Sequence, residues 1–281
     1  MTKSKFLFKI YYIGKKRYYG SQRQINYLTI EQLILSALKK RGYIDNVCNS
    51  QFEFASRTDK YVSARGACFT CITKKKPVLM EINSTLPNEI GIWAYTKVPL
   101  EFNSRYNAIM RHYIYIYPTP LTRLQESVSI DLNLMQKACT LLEGRHDFIN
   151  FSKRGKNEIN TIRDMNSVFF TIKNDFITFS FKSRAFLRQQ IRRMVKKVID
   201  LGKGDIKYSE FLNLFDKSNL ISFQPVDPSG LILWDIKFDK RIIFKEDQRS
   251  IERMNFFFLK NQLTFGHKHQ LFRIMQKKIL Y

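Results

Sequence analysis

Apolar and polar positions alternate with a period of two over several short stretches of this chain, and with a period near 3.6 over a few longer ones. Residues 5–13 set Phe6, Phe8 and Ile10 against Leu7, Lys9 and Tyr11, which predicts a strand. Thr29 followed by Gln32 reads as a capping box; Ile30, Leu33, Ile34, Ala37 and Leu38 form the apolar stripe of the helix it starts, and Gly42 stops it. Residues 52–55 and 67–73 have strand character and bracket a polar loop. Over residues 110–117 alternation returns, with Arg111, Tyr113, Tyr115 and Tyr117 on one face and Met110, His112, Ile114 and Ile116 on the other. A helix is expected from Asp131, with Leu134, Ala138, Leu141 and Leu142 inward and Gly144 as its stop. Residues 153–164 read as an exposed loop, and residues 167–173 and 176–182 as a hairpin about Asn174-Asp175. Apolar residues Leu187, Ile191, Met194, Val195, Val198 and Leu201 predict a helix over 185–201, and residues 209–216 a short one.

Composition narrows the class. The chain has 281 residues, 44% of them hydrophobic, which supports a sizeable core and excludes wholesale disorder. It carries 48 Lys plus Arg against 24 Asp plus Glu, a formal net charge of +24. That excess points to a polyanionic partner, either nucleic acid or an anionic membrane surface. No run approaches the ~18 apolar residues of a spanning helix, and the Met1-Thr2-Lys3-Ser4-Lys5 start is not expected to be a signal peptide. Four cysteines in this length do not make a disulfide framework. Cys68 and Cys71 form a C-x-x-C with no second pair beside it, and at strand spacing they point to opposite faces, so both are expected to pack rather than hold zinc. The polyanion reading gains from the tyrosine-rich face of residues 110–117, which suits base stacking, and from Arg188, Arg192 and Lys196, spaced by four residues with Arg193 and Lys197 beside them.

Chemistry concentrates in the loop between the two strand-like runs: Ala55-Ser56-Arg57-Thr58-Asp59-Lys60-Tyr61-Val62-Ser63-Ala64-Arg65. Asp59 is a carboxylate with an arginine two residues before it, an environment that favours its ionised form. On its own the segment describes a surface turn equally well. However, Arg57-Thr58-Asp59 followed by Val62-Ser63-Ala64 resembles the active-site loop of the TruA family of tRNA pseudouridine synthases, R-T-D-x-G-V-H/S-A, with Tyr61 where the family has glycine. Other segments resemble the family's motifs in the same order. Tyr18, Gly20 and Gln22 resemble Y-D-G-x-x-Y-x-G-[FWS]-Q, with Ile13 replacing the motif aspartate. Leu86-Pro87-Asn88 resembles N-x-x-L-P-x-D-I, and residues 102–108 resemble F-H-A-R-F-S-A with Asn103 for histidine. Arg111-His112-Tyr113-Ile114-Tyr115 resembles R-R-Y-x-Y, and residues 142–148 resemble L-x-G-x-H-D-F, which makes His146 and Asp147 a structural turn. Residues 186–195 resemble F-L-x-x-x-V-R-x-M-V, and residues 228–233 resemble A-P-A-x-G-L-x-L.

The resemblance covers roughly residues 6–238 and implies an α+β pseudouridine synthase fold: two related halves forming a continuous, mostly antiparallel sheet flanked by helices, with a basic central cleft. The expected division is 1–105 for the half carrying the aspartate loop, 106–240 for the second half, and 241–281 for a basic amphipathic helical tail. The implied activity is isomerisation of uridine to pseudouridine in the anticodon stem-loop of tRNA, around positions 38–40. Asp59, Tyr113 and Arg192 would be catalytic: Asp59 attacks the sugar or the base or takes a sugar proton, Tyr113 stacks on the uracil, and Arg192 orients Asp59. Arg57 would fill the space left when the nucleotide is flipped out, Leu231 would floor the uracil, and Tyr19, Gln22, Arg111 and Arg188 would bind substrate. The rearrangement asks for no cofactor and no metal. Partners are expected to be tRNA and a second copy in a homodimer, with no membrane, in the cytoplasm. The rival class is a non-catalytic RNA-binding protein or tRNA chaperone on the same scaffold. Residues 240–281, with ten Lys or Arg against three acidic residues, are expected to dock on the C-terminal half and widen the basic surface; the competing reading, from the Phe256 to Phe258 run, is that they only cover an apolar face.

Overall fold

The computed structural model describes residues 3–153 and 160–276. Residues 154–159 of the loop expected over 153–164, the first two residues and the last five lie outside it. In chain order the elements are β1 (Ser4–Tyr12), α1 (Ile30–Lys40), β2 (Glu53–Phe54), β3 (Ser63–Thr73), α2 (Leu79–Asn83), β4 (Ile90–Val98), β5 (Met110–Pro120), α3 (Leu121–Ser127), α4 (Leu132–Leu141), β6 (Gly144–Asp147), β7 (Ile162–Lys173), β8 (Phe176–Ser183), α5 (Gln190–Gly202), α6 (Tyr208–Asn213), β9 (Leu231–Lys237), β10 (Lys245–Glu246) and α7 (Gln248–Met275). The strands form one ten-stranded sheet, ordered β10-β4-β1-β3-β9-β5-β8-β7-β6 with β2 added to β3. This is an α+β fold with a mostly antiparallel, open sheet flanked by helices.

β1 lies between β3 and β4, which pair both of its edges, and both of its faces are covered by packing: Leu7, Phe8 and Ile10 are buried in the main core, and Tyr11 is buried against Trp93 and Met254. The polar position the alternation leaves there, Lys9, is neutralised by Asp235 at 2.6 Å. α1 starts where the sequence predicts, with the Thr29 hydroxyl accepting from the Gln32 amide at 3.3 Å. β7 and β8 are joined by Asn174 and Asp175, both at positive φ (+48° and +68°), the two-residue turn whose twist matches that of the strands. Cys68 and Cys71 are buried in β3, and burial pushes both thiols up to about 12.

The one parallel pairing among the described strands matters most. β9 joins β3 in parallel through Ser63–Ile232 and Ala64–Leu233, and pairs antiparallel with β5 on its other side. This strand from late in the chain stitches the early strands to the later ones, and the Asp59 loop enters β3 at that seam.

Two expectations are corrected. The helix expected from residue 185 begins at Gln190 instead: Gln189 has φ +61°, which no α-helix accommodates, and Leu187 and Gln190 bond each other through the Leu187 amide to Oε1 (2.8 Å) and the Gln190 amide to the Leu187 carbonyl (3.2 Å). Arg188 therefore lies on a loop, off the helical stripe it shares in sequence. The C-terminal segment docks through β10 and the first turns of α7, and it does so on the early strands, not on the C-terminal half. β10 pairs with β4, Ser250 bonds Asn83 at 3.0 Å, and Met254 is buried against Tyr11 and Trp93. Arg253 donates to the Tyr11 hydroxyl at 2.7 Å and the Ile90 carbonyl at 3.1 Å. The decisive contacts are an apolar cluster, which Phe257 and Phe258 join and which agrees with the apolar-face reading of the tail, and Arg253 with its several hydrogen bonds, which the tail's charge did not disclose.

Candidate active site

The Asp59 loop is held by its neighbours before its own chemistry begins. The Asp59 carbonyl accepts from the Val62 amide at 3.2 Å, closing a turn in which Tyr61 has φ +70°. Negative φ at Lys60 followed by positive φ at Tyr61 is the type II pattern, which favours glycine at Tyr61's position. The loop after β1 presses on this turn from above. A Cβ on Gly20 (φ +86°) would sit 2.7 Å from the Thr58 carbonyl, and one on Gly14 would lie 2.2 Å from the Tyr61 backbone. Ser21 brackets Thr58, its hydroxyl accepting from the Thr58 amide at 2.8 Å and its amide donating to the Thr58 carbonyl at 3.1 Å. The buried Tyr12 hydroxyl meets the Thr58 hydroxyl at 2.8 Å. With Thr58 fixed on three sides, the adjacent Asp59 side chain projects outward and is 47% exposed.

It projects into a cleft of about 980 Å³. Asp59, Tyr113, Arg192, Arg57, Leu231, Tyr19, Gln22, Arg111 and Arg188 all line this one cleft. Seven cations line it (Arg57, Lys60, Arg105, Arg111, Arg163, Arg188 and Arg192) against three carboxylates (Glu31, Glu53 and Asp59), so it is suited to an anionic ligand.

Arg192 comes from the first turn of α5, and its Nη1 lies 3.7 Å from Asp59 Oδ2. Its Nε donates to the Val226 carbonyl at 2.7 Å, which fixes the guanidinium plane. The side chain is buried. That burial pulls its pKa down, against the opposing pulls of Asp59, Tyr115 and Asp227. The guanidinium stays charged. Tyr113, on β5, is buried with its hydroxyl 2.9 Å from Ser56 Oγ. Burial raises its pKa, the Ser56 bond and Arg111 lower it, and the Asp59 charge raises it, so the phenol is neutral at ordinary pH.

The other sequence candidates divide by what their polar atoms do. Arg111 is buried, and its guanidinium donates to the carbonyls of Ala55 (2.7 Å), Arg105 (2.9 Å) and Arg184. It ties the start of the Asp59 loop to β5 and to the segment after β8. Arg57, Arg188 and Gln22 are exposed at the cleft, and Leu231 is a buried apolar wall. His146 and Asp147 do not line the cleft: His146 Nε2 meets the Glu143 carbonyl at 2.7 Å, and Asp147 accepts from Thr161 at 2.5 Å.

Some contributors are absent from the sequence reading. Ser56 bonds Tyr113, Phe186 packs edge-on against the Tyr113 ring at 5.2 Å, and Lys60 lies 3.6 Å from the centre of the Tyr19 ring. Each lies in a segment the sequence reading singled out, Ser56 and Lys60 in the Asp59 loop and Phe186 at the start of the 186–195 motif, but their contacts with Tyr113 and Tyr19 depend on how those segments meet in the fold.

A half-exposed carboxylate beside a buried guanidinium and a neutral buried phenol, in a cationic cleft, can act as nucleophile or base on a polyanionic substrate. Among the described residues no helix is long and apolar enough to cross a membrane. A family model described as tRNA pseudouridine synthase matches residues 138–239. The chain is 31% identical over 249 residues to a protein of Methanothermobacter thermautotrophicus, covering 89% of this chain and 86% of that one. It is 32% identical over 275 residues to one of Methanosphaera stadtmanae (96% and 94%), and 33% identical over 253 residues to one of Pyrococcus furiosus (87% of each). All three carry the name tRNA pseudouridine synthase A.

Proposed function

The chain belongs to the tRNA pseudouridine synthase A family, and on that premise we propose that it converts uridine to pseudouridine in the anticodon stem-loop of tRNA, around positions 38–40, with Asp59 as the catalytic carboxylate. The observation that carries the assignment to Asp59 is its contact with Arg192 inside a cleft of net positive charge. A cleft serving only to hold phosphates gains nothing from a carboxylate projecting into it, which disfavours the non-catalytic chaperone reading.

The reaction is an isomerisation. The C1′–N1 bond breaks, the uracil turns, C1′ bonds C5, the C5 hydrogen leaves as a proton and N1 gains one. Asp59 starts it as a nucleophile on sugar or base, or as the base that takes a sugar proton; a covalent step would divide one barrier into two. Arg192, anchored on Val226, orients the carboxylate. Tyr113 stacks on the uracil and, as a neutral phenol, serves proton transfer. Leu231 gives the ring an apolar floor, Arg57 fills the gap left in the stem by the extruded nucleotide, and Tyr19, Gln22 and Arg188 meet the RNA around it. Arg111 acts through the loop it ties down. Residues 1–105 and 106–240 act as the two halves of the synthase. The protein works as a cytoplasmic homodimer.

The test is direct: incubate the protein with unmodified tRNA transcripts and map new pseudouridines. Sites around 38–40 are expected; tRNA binding with no new pseudouridine at any position contradicts the reading.

A further inference from the structure

A second aromatic feature starts in the cleft wall and runs out of it. Tyr19 and Tyr27 stack with ring centres 4.1 Å apart and planes 23° from parallel. The Lys60 ammonium lies 3.6 Å from the centre of the Tyr19 ring. Two groups that close cannot share one face of a ring, so Tyr19 is sandwiched, with Lys60 on one face and Tyr27 on the other. Tyr19 and Lys60 line the cleft, whereas Tyr27 does not. The stack therefore runs outward from the residue next to Asp59, through the cleft wall, to a ring that is 47% exposed.

The segment carrying it is pinned rather than loose. The Tyr19 amide donates to the Leu28 carbonyl at 2.8 Å, Gln24 Nε2 donates to the Tyr19 carbonyl at 2.7 Å, and Gln24 and Tyr27 form an antiparallel bridge. An exposed tyrosine held on one face by a second ring, itself backed by a cation, offers its other face to a flat partner. Ring stacking for loop stability alone would not need Tyr27 turned to solvent.

We propose that Tyr27 is a stacking platform for the nucleobase adjacent to the target uridine in the substrate RNA. This rests on the RNA-modifying reading of the cleft. Once the target is turned into the cleft, Arg57 covers one of its two neighbours in the stem; the other loses a stacking partner at the mouth, and Tyr27 stands there to replace it, with Tyr19 and Lys60 as its backing. Base–aromatic stacking tolerates any base, so the platform positions the substrate without reading sequence. Tyr27 is a positioning residue and does not touch the reacting atoms.

The experiment uses full-length protein with Tyr27→Ala, Tyr27→Leu and Tyr27→Phe, and an anticodon stem-loop RNA carrying 2-aminopurine on the 5′ or the 3′ side of the target uridine. Wild type and Tyr27→Phe should quench one of the two probes on binding; Tyr27→Ala and Tyr27→Leu should not. In single-turnover assays on unmodified tRNA, Tyr27→Ala and Tyr27→Leu should raise the half-saturating protein concentration about tenfold, the size of one lost base–aromatic stack, with the saturating rate within twofold of wild type. Quenching unchanged in Tyr27→Ala, or Tyr27→Leu equal to Tyr27→Phe in both assays, overturns the platform. The quench needs no turnover, so it tests the platform even if the wild type forms no pseudouridine, an outcome that would count against the catalytic reading instead.

Discussion

Tyr61 holds a backbone conformation in which a side chain is costly. Its φ of +70° places it in the left-handed region, at the turn position that favours glycine. The resemblance to the family loop made this position conspicuous, because the family glycine is a tyrosine here, but not how the chain would respond. The response is to keep the turn and carry the strain. Gly14 and Gly20 allow the loop above to close on the turn, and Lys60 lies 5.2 Å from the Tyr61 ring. The strain is about 1–2 kcal/mol, and a glycine would remove it at the loss of one half-buried ring. Tyr61→Gly should therefore leave stability within about 1 kcal/mol of wild type, whereas Tyr61→Val, β-branched at positive φ, should lose about 2 kcal/mol or more. Chemical denaturation of the two variants side by side checks this; equal losses would mean that the turn has re-formed in another conformation. Ser56 and Phe186 teach a different lesson. Both touch Tyr113, and although each lies in a segment the sequence singles out, that contact was not legible, because it is set by how two loops meet β5 and not by any spacing in the chain.

At the scale of elements, periodicity located β1, α1, α4 and the β7–β8 hairpin because each has its own local signal: alternation, a cap, or a two-residue turn. It misplaced the start of α5 because Leu187 is buried in either conformation, so the apolar period runs unbroken across a junction that only Gln189's positive φ reveals. Periodicity carries no information on which half a tail meets, and the C-terminal segment, expected on the second half, packs on the first. α7 is a single 28-residue helix. Its first turns are anchored through Met254 and Arg253, while Phe265, Phe272 and Met275 further along are each more than 60% exposed. Anchor and extension can therefore be separated. Residues 260–281 carry five Lys or Arg and no acidic residue. Deleting them should leave the melting temperature within a few degrees of wild type, weaken tRNA binding, and flatten the log–log salt slope by about two to four units. Deleting 240–281 also removes β10 and the Met254 anchor, and should lower the melting temperature as well. A slope unchanged by the shorter deletion would leave the extension no part in gripping RNA.

For the molecule as a whole, the excess of cations sets the partner, and the buried acids set the pH range of the fold. Cys68, Cys71 and Cys139 are buried with thiols pushed up to about 12, and burial also raises Tyr18 and Tyr43 to about 12 and Tyr113 in the same direction. A raised folded-state pKa means that the unfolded chain releases its protons first, so stability is complete below the unfolded values and falls as pH rises above them. In reducing buffer the melting temperature should hold steady up to about pH 8.5, where free thiols begin to ionise, and then fall progressively towards pH 11; a flat profile to pH 11 would mean that these groups titrate freely in the folded state. The catalytic proposal has a sharper test. Pseudouridine formation expels the C5 hydrogen of uridine, so tRNA labelled with tritium at that carbon reports turnover directly. Wild type should release tritium, and Asp59→Asn, which keeps the side chain's shape and removes its charge, should release none above background while binding tRNA within a few-fold of wild type. Release by Asp59→Asn at the wild-type rate would contradict the assignment of Asp59 as the catalytic carboxylate.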